Sequence, residues 1–264
     1  MPKQRLDTLL AERGLYESRS RAAAAVLAGD VRLGGDGRRA SKPGQMVTED
    51  ISVEVAKPPP FVSRGGVKLA NALDSFAIDP AGRRCLDVGA ATGGFTDCLL
   101  QRGAEAVIAA DVAYGELHWK LRQDARVTVL ERTNARSLSP EILPWAVDLV
   151  VADLSFISLG KVLPAVLRCV APGFDLVALV KPQFELGRGR VGKGGVVRSA
   201  DGRRDALVAV GKVARDELGL AVLSYASSGL AGPAGNRESF VWIAESGRAG
   251  AVQDLEAAVL RAEP

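Results

Sequence analysis

The chain has 264 residues, 47% of them hydrophobic and 25% charged, with a formal net charge of +3. That length and balance describe a globular protein with one sizeable core and room for a small second module, and no apolar run approaches the roughly 18–20 residues that cross a bilayer. A single histidine and three scattered cysteines (Cys85, Cys98 and Cys169) speak against metal clusters, a disulfide framework and a Ser-His-Asp triad, so acid–base chemistry falls to Lys, Asp, Glu or Tyr. The N-terminal MPKQRLDTLLAERG lacks the apolar core of a signal peptide, which makes the cytoplasm the expected compartment and gives no reason to expect stable membrane association.

The first stretch, RLDTLLAERG, reads as a helix with Leu6, Leu9 and Leu10 inward, closed at Gly14. Ser18 caps a second helix whose apolar face is Ala22, Ala25 and Val26, ending at Gly29. A strand at Val31–Leu33, a glycine-rich turn and a strand over residues 51–55 follow. Arg5, Arg19, Arg21, Arg32, Arg38, Arg39 and Lys42 fall along this unit, while acidic neighbours cancel much of its charge. Pattern alone leaves a nucleic-acid face and ordinary solvated helix faces both open. In KPPPFVSRGG, residues 57–66, successive prolines favour a stiff extended segment. This predicts a small α+β domain over residues 1–58, a linker over 59–65 and a larger domain over 66–264.

In the larger domain, strand and helix patterns alternate: CLDVGA, a helix near residues 95–101, AVIAAD, a helix near 117–122, VTVLER, VDLVVAD, a helix over 162–170, then DLVALVK. A helix over 206–218 precedes two strands in direct succession, AVLSYASS and ESFVWIAE. Alternation of this kind predicts an α/β fold, an open and mostly parallel sheet with helices on both faces and a closing antiparallel hairpin. Ligands of such sheets sit beyond the carboxyl ends of the strands, where Asp87, Asp111, Asp153 and Lys181 stand.

In DVGAATGG the glycines Gly89, Gly93 and Gly94 are set wider than the GxGxxG of dinucleotide enzymes. A carboxylate inside the turn, Asp87, repels a pyrophosphate but accepts from the ammonium of a methionine-like group, and Asp111 is placed for ribose hydroxyls. Together they favour S-adenosylmethionine over NAD. Asp153 and Lys181, ending strands that could be neighbours, form either a plain ion pair at the rim or part of a catalytic set. Lys68, in the first turn of a helix with the inner stripe Leu69, Leu73 and Phe76, opposes the helix dipole, so local stability does not account for it. Glu238 opens the last strand just before an apolar run.

The order RLDxLL, SRSRA, AGDVRLGG, KPG resembles the S-four-type RNA-binding domain over residues 3–60, with Gly34-Gly35 in place of that domain's usual Asn-Gly turn. The resemblance implies an RNA-facing surface of two helices and the following hairpin, with Arg5, Arg19, Arg21 and Lys42 as phosphate contacts. With SRGGVKL, DVGAATGGFTD, ERTNAR, VVADLSFISL, LVKPQFE and GNRESFVW added, residues 3–245 resemble the TlyA family, whose members join that domain to an FtsJ-type ribose 2′-O-methyltransferase and are often labelled haemolysins. The resemblance implies a Rossmann-like methyltransferase sheet and a Lys-Asp-Lys-Glu tetrad at Lys68, Asp153, Lys181 and Glu238. It also implies an S-adenosylmethionine site lined by Asp87, Gly89, Ala90, Gly93, Asp111, Asn134, Ala135 and Asp153, with no metal. The implied substrate is a cytidine ribose of ribosomal RNA in ribosomal subunits.

Lys181 is then the base, or the group that orients the hydroxyl oxygen, with Pro182 fixing the backbone beside it. Asp153 and Glu238 position the two lysines. The stretch GRGRVGKGGVVRSADGRR, with Arg188, Arg190 and Lys193 followed by Arg198, Arg203 and Arg204, reads as a mobile basic loop on RNA or as a merely solvated one. Competing classes are a non-catalytic ribosome-assembly factor, which tolerates loss of Lys181, and a membrane-active haemolysin, for which no stretch is long or lopsided enough. A pseudouridine synthase also carries such an RNA-binding module, but the glycine turn and the tetrad argue against one.

Overall fold

The computed structural model describes residues 2–56 and 59–263. Lys57 and Pro58, at the start of the proline-rich stretch, lie outside the described residues, as does the side chain of Arg188. The chain divides into two compact units, Met1–Pro59 and Pro60–Pro264.

In the first unit β1 (Lys3–Arg5) leads into α1 (Leu6–Glu12) and α2 (Arg19–Ala28). The Ser18 hydroxyl accepts from the Arg21 amide at 3.2 Å, and Gly29 takes the left-handed conformation (φ 87°) that closes the helix. The strands β2 (Val31–Leu33), β3 (Arg38–Arg39), β4 (Met46–Thr48) and β5 (Val53–Val55) follow. Here β2 pairs with both β3 and β5, while β1 pairs antiparallel with β4, Gln4 facing Val47. Leu6, Leu10, Ala22, Val26, Val31, Leu33 and Val47 close the core. The strands β1, β3 and β4 have no counterpart in the sequence reading: two or three residues carry no alternation, and pairing with distant partners makes them.

The second unit runs α3 (Arg64–Phe76), β6 (Arg84–Val88), α4 (Gly94–Gln101), β7 (Ala106–Ala110), α5 (Trp119–Arg122), β8 (Val127–Leu130), β9 (Val147–Ala152), α6 (Leu163–Val166), β10 (Val170–Val180), α7 (Pro182–Glu185), α8 (Ala200–Lys212), β11 (Ala221–Ala231), β12 (Arg237–Ala244) and α9 (Leu255–Ala262). Its seven-stranded sheet has the order β11-β12-β10-β9-β6-β7-β8, parallel except where β12 pairs antiparallel with β10 and β11. Alternate strand residues divide between the faces. Leu86, Val88, Val150, Leu176 and Ala178 pack under α6, α8 and α9, whereas Cys85, Val107, Leu149, Val177 and Phe240 pack under α3, α4 and α5.

Three details differ from the sequence reading. Phe61 and Val62, expected in the linker, pack on the second core, and the Val62 amide donates to Asp97 at 2.9 Å. The helix expected over 206–218 begins at Ala200 and ends in a wider π turn, Val213–Glu217. Lys68 sits one turn further into α3 than expected. Phe240, fully buried with its ring 5.9 Å from that of Phe95, joins β12 to α4. Phe240→Ala is expected to cost about 3–5 kcal/mol, read as a lower urea midpoint at unchanged m-value.

Candidate active site

The parallel pairing of β6, β9 and β10 brings three strand ends to one edge: Val88 faces Ala152, and Ala152 faces Ala178. The turn after β6 starts with Gly89 (φ 88°), where a Cβ would lie 2.5 Å from the Asp153 carbonyl oxygen. No other residue fits there. Two cavities open at this point and share Gly89, Ala91 and Asp153. One, of ≈ 420 Å³, runs toward Asp111 and Asn134. The other, of ≈ 500 Å³, runs toward Lys68, Lys181 and Glu238.

In the first cavity, backbone amides of Ala113 and Ala91 each donate to one Asp111 carboxylate oxygen at 2.8 Å. Each oxygen keeps a further lone pair for a ligand hydroxyl. Asn134 accepts from the Arg136 amide at 3.0 Å and so shapes the turn carrying Ala135, which also lines the cavity. Ala91 (φ 46°) and Phe156 (φ 65°) hold left-handed backbone on its rim, a strained conformation for residues with side chains.

The tetrad residues all line the second cavity, as two ion pairs. Lys68 pairs with Glu238, their side chains 8% and 2% exposed. Lys181 Nζ stands 2.6 Å from Asp153 Oδ1 and donates to the Ser155 hydroxyl at 2.9 Å. Ala90 lines this cavity as well. Ser155 was missed in the sequence because nothing in DLSFIS distinguishes one serine from the other.

Asp87 and Gly93 line neither cavity. Asp87 lies on the α3/α4 side of its strand, fully buried, where its Oδ2 accepts from the Thr96 amide at 2.9 Å and the Thr96 hydroxyl at 2.7 Å. Among the described residues its Oδ1 meets no partner. Burial pushes its carboxyl up to about 7, with the charges of Asp153 and Asp111 adding to the effect and the Thr96 hydrogen bonds opposing it. Its evident work is to bolt the start of α4 to β6. Gly93 (φ 93°) leaves room for Leu121 and Leu117, which a Cβ would strike.

In the first unit, Arg5 grips the buried Asp7 through two hydrogen bonds of 2.6 and 3.0 Å, and Arg19 approaches the same carboxylate at 3.9 Å. The Arg5 hydrogen bond holds the Asp7 carboxyl below its usual range. Gly44 lies against the Arg5 guanidinium, which brings the turn with Lys42 beside it. Arg21 faces instead a groove lined by Leu15, Tyr16 and Ala24. The long basic stretch separates into parts: Lys193 is exposed, Arg190 pairs with Asp205, and a helix begins at Ala200. Arg203 is buried against Glu263 (2.7 Å), and Arg204 donates to the Glu263 carbonyl at 2.9 Å. Those two hold the C-terminal helix and are no part of a basic loop.

Two stability measurements follow from this geometry. A carboxyl whose folded pKa is raised favours the fold in its protonated form, so its contribution is complete below about 4 and lost as pH rises through about 7. Asp87→Asn is therefore expected to melt above wild type at pH 8, by up to about 4 kcal/mol, with the advantage shrinking as pH falls toward 5. Thermal melts across that range check it. Glu238→Ala strands the buried Lys68 ammonium and is expected to cost about 3–5 kcal/mol, whereas Lys68→Met combined with Glu238→Leu loses far less in the same urea titration.

Residues 61–245 match the FtsJ-like methyltransferase family, and residues 4–50 match the S4 domain. The 16S/23S rRNA (cytidine-2′-O)-methyltransferase TlyA of Mycobacterium tuberculosis is 51% identical over 98% of this chain and 97% of its own length. Hemolysin A of Brachyspira hyodysenteriae is 40% identical over 74% of this chain and 80% of its own. A solved structure labelled a hemolysin, from Streptococcus thermophilus, superposes with a TM-score of 0.72 at 36% identity, covering 99% of this chain and 96% of the other. Among the described residues no helix is long and apolar enough to cross a membrane. A family match across most of the chain and a relative half identical along nearly its whole length agree: the chain belongs to the FtsJ-like methyltransferases, in the TlyA group with an S4 domain in front, and is an enzyme of methyl transfer.

Proposed function

We propose that the chain transfers a methyl group from S-adenosylmethionine to the ribose 2′-hydroxyl of a cytidine in ribosomal RNA, working on ribosomal subunits in the cytoplasm. The observation that carries this reading is the pair of cavities meeting at Gly89 and Asp153, one lined by Asp111, Asn134 and Ala135 and the other holding the two lysine–carboxylate pairs. The named function of the Mycobacterium tuberculosis relative supports the same substrate.

The first cavity fits the cofactor in size, within the roughly 300–1,000 Å³ of small-molecule sites. It also fits in chemistry: Asp111, Glu116 and Asp153 give it an acidic lining that favours a cationic ligand and disfavours a pyrophosphate, and Ala110, Val112 and Leu154 offer apolar contact. Asp111 would take the ribose hydroxyls and Asn134 and Ala135 the base, while Asp153 balances positive charge where the cavities meet. Bound there, S-adenosylmethionine supplies a methyl group already activated on a sulfonium.

What remains for the protein is alignment and one proton. Lys181, held by Asp153 and Ser155, orients the ribose oxygen; once its ammonium has shed a proton to solvent, the amine Nζ takes the hydroxyl proton as the methyl group transfers. Lys68, neutralised by Glu238, lines the same cavity without confronting Lys181 with an unbalanced like charge. Arg5, Arg19 and Lys42 of the S4 unit, with Arg190 and Lys193 of the larger one, supply phosphate contacts that hold the RNA without reading its sequence.

The test is methyl transfer from radiolabelled S-adenosylmethionine to unmodified ribosomal subunits, with cofactor and RNA binding measured separately. Lys181→Ala is expected to lower the transfer rate by about 100-fold or more while both affinities stay near wild type. If wild type labels no subunit yet binds RNA, the chain is a binding factor and this reading falls.

A further inference from the structure

The short helix α7 follows Lys181 directly, and its residues reach back to the segment that leaves β9. Glu185 Oε2 accepts from the Ser158 hydroxyl at 2.6 Å, and Oε1 accepts from the Leu159 amide at 2.9 Å. That amide opens the 3₁₀ turn Leu159–Lys161, so Glu185 caps it from outside. The Phe184 and Phe156 rings lie 5.1 Å apart, and Lys181 holds Asp153 and Ser155. Residues 181–185 thus grip residues 153–159 at three levels, and residues 153–157 of that segment line the first cavity.

Glu185 itself lines neither cavity. Burial pushes its carboxyl upward, with the bonds from Ser158 and Leu159 opposing this. A carboxylate kept in a costly place, with both its hydrogen-bond partners on one segment of the site, has that segment as its purpose. The strained left-handed Phe156 lies in the span between those bonds and Lys181, so the span needs holding at both ends.

We propose that Glu185 is a positioning residue for methyl transfer: by bracing Ser158 and Leu159 it fixes the segment carrying Asp153 and Ser155 beneath Lys181, and so ties the shape of the cofactor cavity to the placement of the lysine. This rests on the functional reading above. Neither Glu185 nor Ser158 touches the reacting groups, so each acts only through that segment.

The experiment uses full-length Glu185→Ala, Glu185→Gln and Ser158→Ala. Hydrogen exchange of residues 153–161 is followed without ligand, S-adenosylmethionine affinity by calorimetry, and kcat and KM on ribosomal subunits. Glu185→Ala is expected to speed exchange in that segment but not in β12, to weaken cofactor binding, and to lower kcat about 10-fold or more at near-constant KM for subunits. Glutamine can accept from Leu159 and donate to Ser158, so Glu185→Gln is expected to recover most of both losses. Ser158→Ala falls between. Wild-type kcat and cofactor affinity in Glu185→Ala, or equal damage in the glutamine variant, overturns the proposal. If Glu185→Ala does not fold, wild-type exchange, cofactor affinity and kcat in Ser158→Ala overturn it alone. Should the wild type fail to methylate, the functional reading falls by itself, while exchange and cofactor affinity still decide the bracing.

Discussion

Ala152 pairs with Val88 on one side and Ala178 on the other, and this double register sets where every group of the site stands. The chain passes outward from β6 to β7 and β8, then returns to the opposite side of β6 with β9 and β10, so the crevice opens at β6, where the order reverses. Because β10 runs to Val180, two residues beyond the partner of Ala152, Lys181 comes to stand over Asp153. The antiparallel β12 completes the arrangement, since its beginning meets the end of β10: Ser239 faces Val180, and Glu238 arrives beside the same rim. A parallel strand there would deliver its far end, and the carboxylate would have to come from elsewhere. Slipping β10 by one residue would turn its side chains to the opposite faces and remove Lys181 from the cavity.

Pairing the two lysines separately solves an electrostatic problem. Two ammonium groups in one partly dry cavity repel each other, and each carboxylate cancels one of them locally. The buried Lys68–Glu238 pair gives the fold little net stability, because desolvating both ions offsets most of their attraction. Its value lies in a fixed, neutral wall beside the more accessible Lys181–Asp153 pair. Asp87 shows the complementary case: a carboxylate buried with only one oxygen satisfied, its carboxyl pushed up by that burial, spent on holding the glycine turn in place.

The alternation of strands and helices, the caps at Ser18 and Gly29 and the rim positions of Asp153, Lys181 and Glu238 were legible because each is encoded locally or by the resemblance carried in short motifs. Where the reading missed, distance in sequence explains it. Strands β1 and β4 exist because residues more than forty positions apart pair, with Lys3 facing Thr48. No local pattern marks α9, and Arg203 and Arg204 match a basic loop in sequence, because the Glu263 that ties them down lies about sixty positions on. Asp87 has the right residue type for a ligand contact, yet strand alternation turns it toward α4, a consequence readable from period two had the face been known. Ser155 and Glu185 carry no pattern at all, and only the approach of the segments after β9 and β10 makes them neighbours.

The same lesson applies to charge. A net charge of +3 says little about RNA, because what matters is which cations keep surface after their partners are counted. Arg203 and Arg5 both form ion pairs, but the Arg203 side chain is 10% exposed while that of Arg5 is 50% exposed above a carboxylate only 6% exposed. A guanidinium has more donors than one carboxylate uses, so a buried partner fixes Arg5 without exhausting it. Arg19 shares that carboxylate at similar exposure, which makes Asp7 the anchor of a preordered pair of cations. Ordering them in advance lowers the side-chain entropy lost when an anion binds, which offsets part of the positive charge that Asp7 cancels and suits the phosphate contacts proposed for these two arginines.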